Sequence, residues 1–325
     1  MTTYTSRLTV PVGVTVRQLP ETFASRTPEP VKVLLRPAAR AARYADFVPT
    51  RKRPPLGNRP PIEVAVCAIF RNEGRYLAEW VAFHQLQGVS RFYLYDNGST
   101  DNWRDELRPW LAAGDLVVTP WPEQPGQRPA YIDCLKRFGE TARWIAFIDT
   151  DEFLFSPTTR PLPDVLRRFD TYPGVVANWR CYGLNGWEKA PEGLVIENYL
   201  RRAADSEPNN RFVKCLVFPR LTREPSEGPH YFHFRRWAAV GEDRQPVYWS
   251  TREPITADLL RINHYFAKSA EDLSRKTSRP TAWDGVVGEC GVGSWAEIPE
   301  DVVEDPVLLP FAPAVKARLA QQRNG

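Results

Sequence analysis

The sequence is short of paired cysteines, of long apolar runs and of net charge. Five cysteines, Cys67, Cys134, Cys181, Cys215 and Cys290, all stand more than thirty residues apart. That spacing contains no C-x-x-C and no zinc ligand pattern. The odd count speaks against a disulfide framework, so a reducing compartment is expected. No stretch approaches the roughly 18 apolar residues of a membrane-spanning helix, and the N-terminus lacks the apolar core of a signal peptide. The chain is therefore expected to be soluble and cytoplasmic. Lys+Arg 43 against Asp+Glu 39 leaves a formal charge of only +4 over 325 residues. Wholesale disorder is excluded by a hydrophobic content of 42%.

The small net charge hides an asymmetry. Residues 1–60 carry eleven basic and three acidic residues and nine prolines, a balance of +8, which leaves −4 for the remainder. The body is thus not a nucleic-acid binder on electrostatic grounds. Attraction to an anionic membrane surface, if any, belongs to this Pro-rich arm. Three divisions are expected: the basic arm 1–60, a main domain 61–290 and a C-terminal helical extension 291–325.

After the arm, residues 63–70 (EVAVCAIF) form a near-continuous apolar run, the pattern of a strand covered on both faces. Residues 76–87 have helical spacing and Gly88 stops them. Further strands are expected at 91–95, 116–119, 144–148, 174–179 and 211–219, and helices at 130–138, 270–276 and 308–323. Ser269 and Asp272 make a capping box for the second of these helices. Strand and helix in alternation specify an α/β fold with a mostly parallel sheet.

In such a sheet ligands bind beyond the carboxyl ends of the strands. Three polar clusters fall there: Arg71-Asn72-Glu73, the run Asp96 to Asp101, and Asp149-Thr150-Asp151-Glu152. If the last cluster is extended, Asp149 and Asp151 face the same side and both address one hard divalent cation, Mg²⁺ or Mn²⁺. A phosphatase using an aspartyl nucleophile would carry its D-x-D after the first strand, whereas here it follows about the fourth. A sugar nucleotidyltransferase would show a Gly-rich phosphate loop, which Arg71-Asn72-Glu73-Gly74 does not resemble. The remaining alternative is a non-catalytic nucleotide- or glycan-binding protein.

These residues in combination resemble the bacterial glycosyltransferase family 92 and its DUF23-type relatives. The resemblance rests on Arg71-Asn72-Glu73, Glu79-Trp80, His84, the run from Tyr95 to Asp101, Gln127, Ala130-Tyr131, the block from Phe147 to Phe153, Lys214 to Val217, and Asn263-His264-Tyr265 with Ser269 to Asp272 and Lys276. It implies a GT-A fold, a Rossmann-like mixed sheet flanked by helices. The implied activity is metal-dependent hexosyl transfer from a UDP-sugar, galactose included, to a glycan or glycoconjugate in polysaccharide synthesis, with inversion. By that resemblance Asp149, Asp151 and His264 hold Mn²⁺ or Mg²⁺, and Phe70, Arg71, Glu73, Asp96 and Gln127 lie about the nucleotide. Lys268, Lys276 and Arg279 clamp the diphosphate, and Lys214 and His230 touch the acceptor. At Gly183-Leu184-Asn185-Gly186-Trp187 the chain departs from the family pattern, and Trp187 there either stacks on a sugar face of the acceptor or packs. Asp243 and Glu152 are the leading candidates for the base, with Glu242 and Asp284 also open. His84 is expected to be structural.

Overall fold

The computed structural model describes residues 60–287 and 302–324. The expected arm, apart from Pro60, lies outside the described residues, as do Cys290 and 291–301. Fourteen strands occur among the described residues. They are β1 (Ile62–Phe70), β2 (Arg91–Asp96), β3 (Leu116–Pro120), β4 (Ala142–Phe147), β5 (Glu152–Phe155), β6 (Gly174–Cys181) and β7 (Arg201–Arg202). The rest are β8 (Val213–Val217), β9 (Thr222–Pro225), β10 (Phe232–Phe234), β11 (Ala239–Val240), β12 (Pro246–Val247), β13 (Arg261–His264) and β14 (Val303–Glu304). Helices α1 (Gly74–Leu86), α2 (Trp103–Glu106), α3 (Arg108–Ala113) and α4 (Gln127–Phe138) belong to the first half of the chain. They are followed by α5 (Leu162–Leu166), α6 (Val195–Asn198), α7 (Ala270–Thr277) and α8 (Ala312–Asn324).

The central sheet is mixed and mostly parallel, in the order β12-β11-β6-β8-β4-β1-β2-β3, with β13 pairing β6 and β5. Strands β1 to β4 run parallel. Strand β8 is antiparallel to both β4 and β6, so β6 points the same way as β4. Strand β13 is parallel to β6, with His264 opposite Cys181. The carboxyl ends of β1, β2, β4, β6 and β13 therefore share one edge, together with the amino ends of β5 and β8.

Burial of β1 on both faces explains its unbroken apolar sequence. Val64, Val66, Ala68 and Phe70 join the core that includes Trp80, Trp103, Leu162 and Val315. Ala65, Cys67 and Ile69 join the opposite core, with Tyr131 and Cys134 of α4 and Phe232 of β10. This is the period of two expected of a strand between two layers. Helix α1 ends where anticipated, at Gly88, whose φ is +92°. Four cysteines are described, all free and buried. No helix among the described residues is long and apolar enough to cross a membrane.

His84, fully buried on α1, has the structural role expected of it. Its Nδ1 lies 2.8 Å from the Trp80 carbonyl and its Nε2 is 3.1 Å from the Leu154 N–H. The first contact requires a proton on Nδ1 and the second a bare Nε2, so the ring is neutral. Burial pushes its pKa down to about 3.

Candidate functional site

The site grows from the loops that leave this shared edge. After β1, Asn72 adopts φ +54°, and its side chain accepts the Thr100 N–H at 2.7 Å. Its own N–H donates to Ser99 Oγ at 3.0 Å, and Gly74 N–H to Asp101 at 2.7 Å. The first two polar clusters are thus locked onto each other. Asp96 accepts the Ser99 N–H at 2.8 Å, forming the turn that opens the second cluster. Asn97, given no role of its own within that run, donates to the Trp121 and Glu123 carbonyls at 2.7 and 2.9 Å and holds the next loop. Phe70 does not flank an open face: it is buried edge-on against Trp103, 5.2 Å between centroids.

The third cluster departs from the expected geometry. The segment 149–152 is a turn, closed by Glu152 N–H on the Asp149 carbonyl at 3.1 Å, and the same-side argument for an extended segment does not apply. The two aspartates have separate partners. Asp149 accepts from Lys214 Nζ at 2.6 Å and from Gln127 Nε2 at 2.8 Å, one on each carboxylate oxygen. Asp151 meets Lys276 through Oδ2. Its Oδ1 is buried, has no hydrogen-bond partner among the described residues, and faces His264 Nε2 at 3.6 Å.

Electrostatics sharpen this division. Burial alone would raise the Asp151 carboxyl, but Lys276 and His264 outweigh it and hold the group well below the usual carboxylate range. Asp149 is likewise held low, Lys214 overcoming the effect of burial and of Asp151. Lys214 is completely buried, yet Asp149 and Glu152 (3.6 Å) keep it charged against the pull of desolvation. Glu152 is also fully buried and its carboxyl is pushed well up by desolvation, despite Lys214. Its Oε2 accepts the Asp149 N–H at 2.9 Å. His264 packs tilted against Trp179, 4.2 Å between centroids, and burial lowers its pKa.

A divalent cation fits part of this arrangement. Asp151 Oδ1 and His264 Nε2 are an oxygen and a nitrogen at a separation that ligands about 2.0–2.2 Å from one ion can span. Each carboxylate oxygen of Asp149 is already engaged in this geometry, Oδ2 by the Lys214 ammonium and Oδ1 by the Gln127 amide, which sets Asp149 apart from the pair. Among the described residues no three His, Cys, Asp or Glu side chains form a ready-made cage. The protein would supply two ligands, leaving the other positions to substrate and water.

The cationic residues line up beside this pair. Lys268, at φ +50°, is buried with its ammonium 4.3 Å from the Tyr76 ring centre and 3.6 Å from Glu73. Glu73 also receives Arg279 at 2.9 Å, while Arg279 reaches the Arg71 carbonyl. Helix α7 carries Lys276, and Ser269 caps it by accepting the Asp272 N–H at 3.1 Å, as anticipated. Asp272 in turn accepts from Tyr76 OH at 2.6 Å, which fastens α7 to α1.

The acceptor and base candidates are more scattered. Trp187 is exposed on the loop after β6. His230 lies in a turn before β10 rather than in a strand, its Nδ1 3.1 Å from the Val213 carbonyl. Burial and nearby Lys214 push its pKa down to about 3. Lys214 is no surface contact for an acceptor, since Asp149 and Glu152 enclose it. Asp243 sits in the β11–β12 hairpin against Arg252 at 2.5 Å, and Glu242 caps the N–H groups of 258–260. Glu152, with no exposed surface, holds the Asp149 turn. Asp284 is exposed on the segment after α7, where it accepts the Val286 N–H at 3.0 Å.

The model for "Glycosyltransferase family 92" matches residues 61–223, half of the chain. A glycosyltransferase family 92 protein of Oryza sativa subsp. japonica is 30% identical over 210 residues, 62% of this chain and 33% of that protein. Galactan beta-1,4-galactosyltransferase GALS2 of Arabidopsis thaliana is 31% identical over 202 residues, 52% of this chain and 38% of that protein. The chain thus spans well under half the length of these relatives. Both are plant proteins, so they lend nothing to the bacterial branch that the motifs suggested. Among solved structures, S. aureus TarS covers 49% of this chain and 48% of its own at 17% identity, with a TM-score of 0.32, too low to add to the fold described above.

Proposed function

The chain belongs to glycosyltransferase family 92, and from that premise we propose that it moves a hexosyl unit from a UDP-sugar to a glycan or glycoconjugate. Galactose is the first donor sugar to consider, because a relative is named a galactan beta-1,4-galactosyltransferase. Inversion and the link to a bacterial branch rest on the motif resemblance alone. The same proposal has the enzyme work in the cytoplasm, its basic arm against anionic lipid, a reading supported by the +8 balance of residues 1–60.

The observation that carries the reading is one sheet edge bearing buried acids on one side and Lys268, Lys276 and Arg279 on the other. Asp151 and His264 would hold Mn²⁺ or Mg²⁺. When bound, the ion supplies Lewis-acid neutralisation of charge on the departing diphosphate. The chain's own part is electrostatic and positional. Lys268, Lys276 and Arg279 are charged donors fixed in place before reaction, so they stabilise an anion without reorganising. Asp96 and Asn97 order the loops around the nucleotide. Asp149, anchored by Lys214 and Gln127 and with 31% of its side chain exposed, offers a fixed acceptor to a hydroxyl of the donor. The test is release of UDP from UDP-galactose, UDP-glucose and UDP-N-acetylglucosamine with Mn²⁺ present. Release from one of them, stimulated by an oligosaccharide, is expected. Release from none would sink the proposal.

A further inference from the structure

Residues 276–283 cross the carboxyl edge of the sheet and are tied down in four places. Lys276 meets Asp151, and Arg279 meets Arg71 and Glu73. The Ala282 carbonyl accepts the Gln127 N–H at 2.8 Å, and Trp283 Nε1 donates to the Glu227 carbonyl at 3.1 Å. Gln127 itself contacts Asp149, which places Trp283 one residue from a carbonyl bound to the cluster's own partner. Yet Trp283 is 47% exposed, the most exposed tryptophan described. Its single polar atom is already engaged, so the ring is held in place while its flat apolar surface stays in water.

A second indole is presented in the same way. Trp187, 40% exposed, donates through Nε1 to the Asn198 carbonyl at 3.2 Å. Its loop is joined to the start of α7 by Ala270 N–H on the Trp187 carbonyl at 2.9 Å and Glu271 N–H on the Glu188 carbonyl at 3.0 Å. Trp187 therefore lies at one end of α7 and Trp283 just beyond the other, about 12 Å of helix apart at 1.5 Å per residue. Between them α7 delivers Lys276 to Asp151. An acceptor must reach that cluster from solvent, and the flat faces of both rings are open to solvent. Pyranose rings have apolar faces that pack on flat aromatic surfaces while their hydroxyls remain hydrated, and fixed indoles offer such contact at little entropic cost.

Resting on the donor reading above, we infer that Trp283 is a stacking platform for the acceptor, a β-linked hexopyranosyl glycan, at the far end of α7 from Trp187. The test is calorimetry on the full chain with β-1,4-galactotetraose, in the presence of UDP and Mn²⁺, with UDP titrated separately. Wild type, Trp283→Ala and Trp283→Phe are compared. The expected result is a loss of tetraose affinity of at least about tenfold in Trp283→Ala, a change within about threefold in Trp283→Phe, and equal UDP affinity in all three. Unchanged tetraose binding in Trp283→Ala overturns the platform. So does wild-type protein that binds UDP but no tetraose, and so does joint loss of both ligands in Trp283→Ala, which would make the ring part of the fold. Wild-type protein that binds no UDP would overturn the donor reading instead, and the platform with it.

Discussion

In the half of the sheet made by β1 to β4, strands pair in parallel with one another and enclose the motif-rich loops. In the half made by β6, β8, β13 and β5, the chain reverses direction repeatedly, and β13 inserts beside β6 from about eighty residues downstream. The two halves contribute opposite charges. Asp96, Asp149 and Asp151 come from the first half or its border. Lys214, Lys268, Lys276 and Arg279 all come from the second. A buried carboxylate is costly unless a counter-charge reaches it. The acids therefore commit the distant half to a particular register, and neither half is electrostatically complete alone.

The largest effect should appear where the halves meet. Lys214→Met leaves Asp149 and buried Glu152 without their cation and should cost about 3–5 kcal/mol in denaturant unfolding. Adding Asp149→Asn should recover part of that loss. A double variant no more stable than Lys214→Met would mean the lysine acts by packing rather than by charge.

Within the first half, His84 predicts an acid limb. Its folded pKa of about 3 lies below the unfolded value of 6.5, so its contribution is complete above pH 6.5 and is lost as pH falls toward 3. Between pH 6 and 4 the wild type should lose about 1.4 kcal/mol more per pH unit than His84→Gln does. Parallel pH–stability curves for the two proteins would contradict the neutral, doubly bonded ring.

Smaller effects test local devices on each side. Gly88→Ala puts a Cβ 2.7 Å from Pro163 Cδ in a left-handed backbone, and unfolding measurements should show a loss of about 1–3 kcal/mol. Ser269→Ala removes the α7 cap and should cost about 1 kcal/mol. If the Ser269 variant proved the costlier of the pair, the tight α1 turn would not be the stricter constraint.

The same contrast decides what was legible in the sequence. β1, β2, β3 and β4, helix α1 and its Gly88 stop, and the Ser269 cap of α7 were readable because each rests on local periodicity or a local hydrogen bond. β5 was missed: EFLF is four residues long and becomes a strand only by pairing with β13. The sequence left 149–152 open between extended chain and turn, because nothing in Asp149-Thr150-Asp151-Glu152 announces that the Glu152 N–H will bond back to the Asp149 carbonyl. Lys214 carried a signal that went unused, a single charge inside the buried strand VKCLV, which requires a buried partner. Phe70 shared the alternation of β1, and counting it through would have put its ring in the core.

The central claim is that Asp151 and His264 form the cation seat while Asp149 is held apart by Lys214 and Gln127. It is tested most directly by calorimetric UDP binding with and without Mn²⁺ on wild type, Asp151→Asn and Asp149→Asn. The account predicts Mn²⁺-dependent UDP binding in the wild type, loss of the metal dependence in Asp151→Asn, and weaker but still Mn²⁺-dependent binding in Asp149→Asn. Metal dependence that survives in Asp151→Asn, or disappears only in Asp149→Asn, would contradict it.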